Sequence, residues 1–130
     1  MRRIPVLIAL LFAGLLSVVS ARAAEVMTYT PERMAAAQAA GAPILVAIQA
    51  PWCPTCAAQR PILQQIEQDA AYQNLRVILV DFDTQKDVVK DMGATMQSTL
   101  IVFQGKKEMA RSVGDTHKES IEAMVRRSLV

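Results

Sequence analysis

The chain has 130 residues, with 14 basic and 12 acidic side chains and a formal net charge of +2. This length gives room for one small domain with a single hydrophobic core. The nearly balanced charge excludes a protein built around a strongly basic nucleic-acid surface.

The first 23 residues have the features of an export signal. Arg2 and Arg3 give a positive start, Ile4–Val19 is a mostly apolar run of 16 residues, and Ala21-Arg22-Ala23 is a small-x-small cleavage site. The sequence therefore predicts a signal at residues 1–23 and a mature domain at residues 24–130 that is periplasmic or secreted. A retained membrane anchor is the alternative, because the apolar run is only slightly shorter than a bilayer span.

The first part of the mature chain predicts a strand, a helix and a second strand. Val26–Tyr29 suits a short strand, and Thr30 followed by Pro31 suits the N-cap and first turn of a helix that ends near Gly41. Ile44–Ile48 is a continuous apolar run, which is typical of a strand buried on both faces.

Both cysteines follow this strand in a Cys-x-x-Cys spacing, within the segment Trp52-Cys53-Pro54-Thr55-Cys56. The residues after this segment favour a helix, with Leu63 and Ile66 on its buried face and Gln59 on a polar face. The sequence therefore places the cysteine pair at a strand-to-helix junction.

This position suggests a redox role for the pair. The amide groups and the positive dipole end of a helix N-terminus favour a thiolate, which is the attacking species in disulfide exchange. Cys53 is the predicted nucleophile. Cys56, one turn inside the helix, is the predicted resolving thiol.

Other uses of the two cysteines fit less well. A closed zinc site needs four ligands, and the chain offers only His117 beyond the cysteines; His117 itself is expected at the exposed start of the last helix. Covalent haem attachment needs histidine directly after the second cysteine, where Ala57 stands. A structural disulfide stays open, although so short a loop constrains the unfolded chain little. A copper(I) site also stays open, since thiolates suit that ion.

The next part of the chain predicts a strand and a helix. Leu75–Val80 suits a second buried strand, and Asp83 or Thr84 suits the N-cap of a helix that runs to about Met92. Four methionines are expected to fill gaps in the core: Met92, Met96, Met109 and Met124.

The last part predicts a hairpin and a closing helix. Thr99–Phe103 and Glu108–Val113 suit two strands joined by a turn at Gln104-Gly105-Lys106, and Lys118–Ser128 suits a helix. The predicted order is β-α-β-α-β-α-β-β-α, an α/β sandwich with a central mixed sheet flanked by helices.

With these features, residues 24–130 resemble the thioredoxin family over nearly their full length. The matching features are the Trp52–Cys56 segment after an apolar strand, Pro61 at a kink in the following helix, Thr99–Phe103 beside the site, Gly105 in the hairpin and Gly114 after the last strand. The resemblance implies a thioredoxin-like sandwich that acts as a thiol-disulfide oxidoreductase and needs no cofactor or metal. It also implies that substrate is bound by six residues: Trp52, Pro54, Thr55, Gln97, Ser98 and Thr99.

Three positions depart from the family pattern. Family members usually carry a cis-proline just before the position of Thr99, where this chain has Ser98. A cis bond before a non-proline residue costs about 3 kcal/mol, so we expect a trans Gln97–Ser98 bond. Many members have a buried aspartate that moves protons for the second cysteine, and this chain has Ala47 at that position. The lysine that usually accompanies this aspartate falls near Leu79 in this chain. Proton transfer from Cys56 is therefore expected to use water or another group.

The sequence thus predicts an exported oxidoreductase that reduces or exchanges disulfides in other exported proteins. A dithiol in an oxidising compartment must act as an oxidant or be supplied with electrons, so a membrane-bound redox partner is expected. We expect a monomer that binds no nucleic acid. A copper(I) or iron-sulfur carrier that uses the same two cysteines is the alternative.

Overall fold

The computed structural model describes residues 22–130, so nearly all of the predicted export signal lies outside the described residues and stays a prediction. Within residues 22–130 the strands are β1 (Glu25–Thr28), β2 (Pro43–Gln49), β3 (Arg76–Asp81), β4 (Thr99–Gln104) and β5 (Lys107–Val113). The α-helices are α1 (Pro31–Ala39), α2 (Pro54–Gln68), α3 (Lys86–Asp91) and α4 (Lys118–Arg126), and short 3-10 turns lie at Ala70–Tyr72 and Arg127–Leu129. The order of elements is the one predicted from the sequence.

The strands form one mixed sheet in the order β1-β3-β2-β4-β5. β3 pairs in parallel with both β1 and β2, whereas β4 runs antiparallel to β2 and β5 antiparallel to β4. β2 is therefore the central strand, with hydrogen-bonded neighbours on both sides. It carries the chain to the two cysteines.

Helices cover both faces of the sheet. One core joins Leu45 of β2 to side chains of α2 and α4, and the other joins the neighbouring Val46 to Met34 of α1 and Val89 of α3. Successive side chains of a strand point to opposite faces, so the continuous apolar run of β2 fills both cores. The predicted α/β sandwich is confirmed.

The starts of α1 and α3 differ in their capping. Thr30 caps α1 as predicted, since its side chain accepts a backbone amide hydrogen bond at 3.2 Å. The prediction that Asp83 or Thr84 caps α3 is wrong, because the N-cap residue is Gln85 and it makes no side-chain capping bond. Asp81 explains the difference: its carboxylate accepts hydrogen bonds from the amides of Thr84 and Asp83, both at 2.9 Å. These bonds, that from Thr84 most of all, lower the pKa of Asp81.

α2 has 15 residues and contains Pro61, as predicted. Proline removes one backbone donor inside the helix, and the kink expected there stays a prediction. None of the helices between residues 22 and 130 is both long enough and apolar enough to cross a bilayer.

Candidate active site

The two cysteines lie at the junction between β2 and α2. In the turn that follows β2, the Cys53 amide donates a hydrogen bond to the carbonyl of Ala50 at 3.2 Å. Pro54 is the first residue of α2, a position where a missing amide hydrogen costs nothing. Cys53 is the N-cap residue, and its Sγ accepts a hydrogen bond from the Cys56 amide at 3.0 Å. The sulfur of Cys53 thus occupies the place that a serine or aspartate oxygen takes at other helix starts.

The two cysteines are similarly buried and differ in their position on α2. Cys53 is 2% exposed and Cys56 is 5% exposed, and both pack with Ala50 and Phe82. Of the two sulfurs, that of Cys53 accepts an amide hydrogen of α2. This bond and the helix dipole stabilise a thiolate, so the geometry favours Cys53 as the attacking sulfur.

Trp52 presents an exposed apolar surface next to Cys53. Its side chain is among the large apolar groups in contact with solvent, at 56% exposed, and its Nε1 donates a hydrogen bond to Asp83 Oδ2 at 2.8 Å. Asp83 lies in the turn held by Asp81 after β3. This role of Asp83 was not predicted, because the pairing joins residues 31 positions apart in the chain.

The segment of residues 96–98, here called the Ser98 loop, has an unusual backbone. No peptide bond in residues 22–130 is cis, so the Gln97–Ser98 bond is trans, as predicted. Ser98 has a φ of +58° and is 4% exposed. This left-handed conformation costs a residue other than glycine about 1–2 kcal/mol. The positive φ was not predicted, because serine does not signal it.

Hydrogen bonds to three successive carbonyl groups hold the Ser98 loop. Thr99 Oγ1 donates to the carbonyl of Met96 at 2.7 Å, and Ser98 Oγ donates to that of Gln97 at 2.5 Å. The Gly114 amide donates to the carbonyl of Ser98 at 3.0 Å. Each such bond contributes about 0.5–1.5 kcal/mol net, so together they offset the backbone strain.

The Ser98 loop lies beside the cysteine pair. Thr99 pairs with Ile48 near the end of β2. A side-chain carbon placed on Gly114 would lie 4.0 Å from both Ser98 Oγ and Thr55 Cγ2. The structure therefore brings Thr55, Ser98 and Thr99 together, while the substrate-binding roles of all six predicted residues stay predictions.

Exposed apolar side chains lie in the segments around the site. Met96 is 50% exposed, so the prediction that it fills the core is wrong; Met124, by contrast, is buried. Val113, which pairs with Thr99, is 57% exposed. With Trp52, these side chains offer apolar contact area to a polypeptide near the cysteines.

Gln59 is a site residue that was not predicted. It is 3% exposed, and its Nε2 donates hydrogen bonds to the carbonyl of Ser98 at 3.2 Å and to that of Asp115 at 2.9 Å. The expectation that Gln59 lies on a polar face of α2 is wrong. The signal that could have found it is its spacing, four residues before Leu63 and seven before Ile66, which places it on the buried stripe.

A cavity of about 210 Å³ lies beside Cys56. Ala47 and Leu79, the two further departures from the family pattern, line it together with Glu67 of α2. Burial raises the pKa of the Glu67 carboxyl. The cavity gives space for the water or other group that proton transfer from Cys56 is expected to use.

Between residues 22 and 130, no three histidine, cysteine, aspartate or glutamate side chains are placed to hold a metal ion. His117 occupies the exposed N-cap position of α4, as predicted.

A mixed sheet between two helix layers, with a Cys-x-x-Cys pair at the N-terminus of α2, defines the class of thiol-disulfide oxidoreductases with a thioredoxin fold. The family model described as Thioredoxin matches residues 25–127. This chain belongs to the thioredoxin family.

Known proteins similar to the chain support the same assignment. Thioredoxin of Bacillus subtilis is 27% identical over 86 residues, which are 66% of this chain and 82% of that protein. Bifunctional thioredoxin reductase/thioredoxin of Mycobacterium leprae is 32% identical over 79 residues, which are 61% of this chain and 17% of that protein. The crystal structure of Trxlp from Edwardsiella tarda has a TM-score of 0.76 and 37% identity, covering 78% of this chain and 98% of that chain. The predicted fold, family and thiol-disulfide oxidoreductase activity are thereby confirmed.

Proposed function

We propose that this protein is exported, to the periplasm or beyond, and there reduces or exchanges disulfides in other exported proteins. The observation that carries the catalytic part of the proposal is the Cys56 amide donating to Cys53 Sγ at 3.0 Å. It supports Cys53 as the nucleophile, with Cys56 as the resolving thiol. The export signal predicted at residues 1–23 supports the proposed location.

Reduction proceeds by two sulfur exchanges. The Cys53 thiolate attacks one sulfur of a substrate disulfide, that disulfide breaks, and the departing sulfur leaves as a thiolate that takes up a proton. Cys56 then loses its proton and attacks Cys53 Sγ, and the second substrate sulfur leaves and is protonated. Two electrons and two protons pass to the substrate, and a Cys53–Cys56 disulfide remains.

Continued reduction requires a source of electrons for the Cys53–Cys56 disulfide. For an exported protein, a membrane-bound redox partner is the proposed source, because the periplasm is kept oxidising. The relative from Mycobacterium leprae bears a name that joins a thioredoxin reductase and a thioredoxin, which supports pairing with a reductase in general terms. The protein acts as a monomer and binds no nucleic acid.

The alternative of a copper(I) or iron-sulfur carrier is not favoured. Membership of the thioredoxin family supports disulfide chemistry at Cys53 and Cys56. Among residues 22–130, no group of three or more potential ligands supports metal transport.

Two assays test the proposal. The chain of residues 24–130 should catalyse reduction of the insulin disulfides by dithiothreitol, and Cys53→Ser should abolish this catalysis. Residues 1–23 fused to alkaline phosphatase should make that enzyme active in a bacterial host, because it needs disulfides formed outside the cytoplasm. Absence of insulin reduction would overturn the activity on protein disulfides, and an inactive fusion would overturn export.

A further inference from the structure

We propose that Gln59 is a positioning residue that holds the Ser98 loop in the conformation that receives a substrate polypeptide beside Cys53. The inference rests on the proposed function, reduction of protein disulfides, and on the substrate-binding role that the family resemblance predicts for Ser98. It assigns to a buried glutamine the task of fixing this loop to the helix that carries the cysteines.

Helix α2 links the Ser98 loop to the cysteine pair, because it carries both Gln59 and Cys56. Gln59 lies one helical turn after Cys56 on α2, and its Nε2 reaches the carbonyl of Ser98 at 3.2 Å. That carbonyl also accepts the Gly114 amide at 3.0 Å. A shift of the Ser98 loop relative to the cysteines therefore has to break the bond to Gln59.

The second partner of Gln59 is itself fixed. Nε2 also donates to the carbonyl of Asp115 at 2.9 Å. The Asp115 carboxylate accepts the His117 amide at 2.9 Å and Ser120 Oγ at 2.5 Å, which ties it to the start of α4. Burial raises the pKa of Asp115, but the hydrogen bonds from Ser120 and His117 outweigh it and leave the pKa lowered. Gln59 thus connects α2, the Ser98 loop and the turn before α4.

The chemistry of the contact calls for an amide. Both partners are carbonyl oxygens, which accept only, and the NH₂ group of glutamine has two hydrogens to donate. An apolar side chain would leave the carbonyl of Asp115 without this partner. Serine has no ring that fixes its backbone, and it rarely adopts a positive φ. The Ser98 loop therefore depends for its conformation on hydrogen bonds such as the one from Gln59.

Loss of the Gln59 bonds should affect large and small substrates differently. Gln59 lines the cavity beside Cys56, but it takes no part in the Cys53 Sγ contact with the Cys56 amide, so attack by Cys53 should be retained. Binding of a polypeptide along the Ser98 loop should weaken. We therefore expect a higher KM for protein disulfides and little change for a small disulfide that needs no loop.

The test compares Gln59→Met with the control Gln65→Met, which changes an exposed glutamine of the same helix. Methionine has nearly the length of glutamine and fills the same space without donors. Gln59→Met should raise the KM for insulin about 5–10-fold, the equivalent of one lost hydrogen bond, with kcat nearly unchanged. The rate with 5,5′-dithiobis(2-nitrobenzoate) should change less than about twofold, and the control should match the wild type. An unchanged KM, or an equal loss on both substrates, would overturn the proposal.

A second readout separates this inference from the proposed function. Amide hydrogen exchange at Gly114, which bonds to the Ser98 carbonyl, should be about 5–10-fold faster in Gln59→Met and unchanged in Gln65→Met. If the wild type reduced no protein disulfide, the proposed function would fail while this readout still tested the contact. Should Gln59→Met fold poorly, Gln59→Asn keeps an amide but is one methylene too short to bridge both carbonyls. The same faster exchange is expected for Gln59→Asn, and unchanged exchange in the folded variant would overturn the role of Gln59.

Discussion

At the scale of single residues, short contacts give the site its asymmetry. Cys53 Sγ accepts the amide of Cys56, while Trp52 is anchored to Asp83 and the Ser98 loop is anchored to Gln59. The Trp52 turn and the Ser98 loop, which both lie near the predicted nucleophile Cys53, are thus each tied by a side-chain hydrogen bond to a residue distant in the chain. A substrate disulfide approaches a sulfur whose surroundings are already in place.

Substitutions of Ser98 test its left-handed backbone. Glycine adopts a φ of +58° freely, so Ser98→Gly should change the free energy of unfolding by no more than about 1 kcal/mol. Proline is locked near −65°, so Ser98→Pro must move the loop and break its bonds, and should destabilise the protein by more than about 1 kcal/mol. Urea unfolding at pH 7 measures the free energy of unfolding of both variants. A proline variant as stable as the glycine variant would contradict the positive φ.

Glu67 gives a prediction for pH dependence. Burial raises its pKa in the folded protein above the ordinary value of 4.5, so the folded state binds the proton more tightly than the unfolded chain. The ionised carboxylate is therefore unfavourable above the folded pKa, and this penalty is removed as the pH falls below 4.5. Glu67→Gln should be more stable than the wild type at pH 7, with the difference vanishing below pH 4. Thermal unfolding of both proteins between pH 7 and pH 4 measures this difference in stability. A difference that grew as the pH fell would contradict the effect of burial on Glu67.

The residues that the sequence revealed are those whose role follows from local position. Cys53 at a helix start and the trans bond before Ser98 were predicted, because spacing and peptide chemistry determine them. Gln59 bonds to Ser98, 39 positions away, and Asp83 bonds to Trp52, 31 positions away. No local sequence pattern predicts contacts over such distances in the chain. The positive φ of Ser98 depends on such distant contacts in the same way.

At the scale of elements, apolar patterning determined most of the fold. The continuous apolar runs of β2 and β3 predicted strands buried on both faces, and both strands have hydrogen-bonded neighbours on each side. The start of α3 was not predicted correctly, because the Asp81 carboxylate accepts the amides of Asp83 and Thr84 and holds these residues in a turn, and the helix begins after that turn. A predicted cap is correct where the side chain itself accepts an amide of the first helical turn, as that of Thr30 does.

Hydrogen exchange tests this arrangement of strands. Amides of Ile44–Ile48 and Val77–Val80 should exchange slowest, because these segments are buried and paired with strands on both sides. Amides of the edge strands β1 and β5 should exchange faster. Comparable protection in β1 and β2, measured by mass spectrometry or NMR, would contradict the observed strand order.

At the scale of the whole molecule, the two cores hold the cysteine pair at the end of the central strand. β2 is buried against helices on both faces and ends directly before the turn that leads to Cys53. The Trp52 turn, the Ser98 loop and the start of α2 meet there, so the sandwich serves as a rigid support for thiol chemistry. This support is what the family resemblance implied for residues 24–130.

Trapping of mixed disulfides tests the central claim, the division of roles between Cys53 and Cys56, most directly. Cys56→Ser leaves the nucleophile but removes the thiol that releases the substrate, whereas Cys53→Ser removes the attacking sulfur. After incubation with an oxidised protein substrate and acid quenching, non-reducing electrophoresis should show a covalent complex for Cys56→Ser and none for Cys53→Ser. A complex formed by Cys53→Ser, with none formed by Cys56→Ser, would reverse the roles and contradict the account.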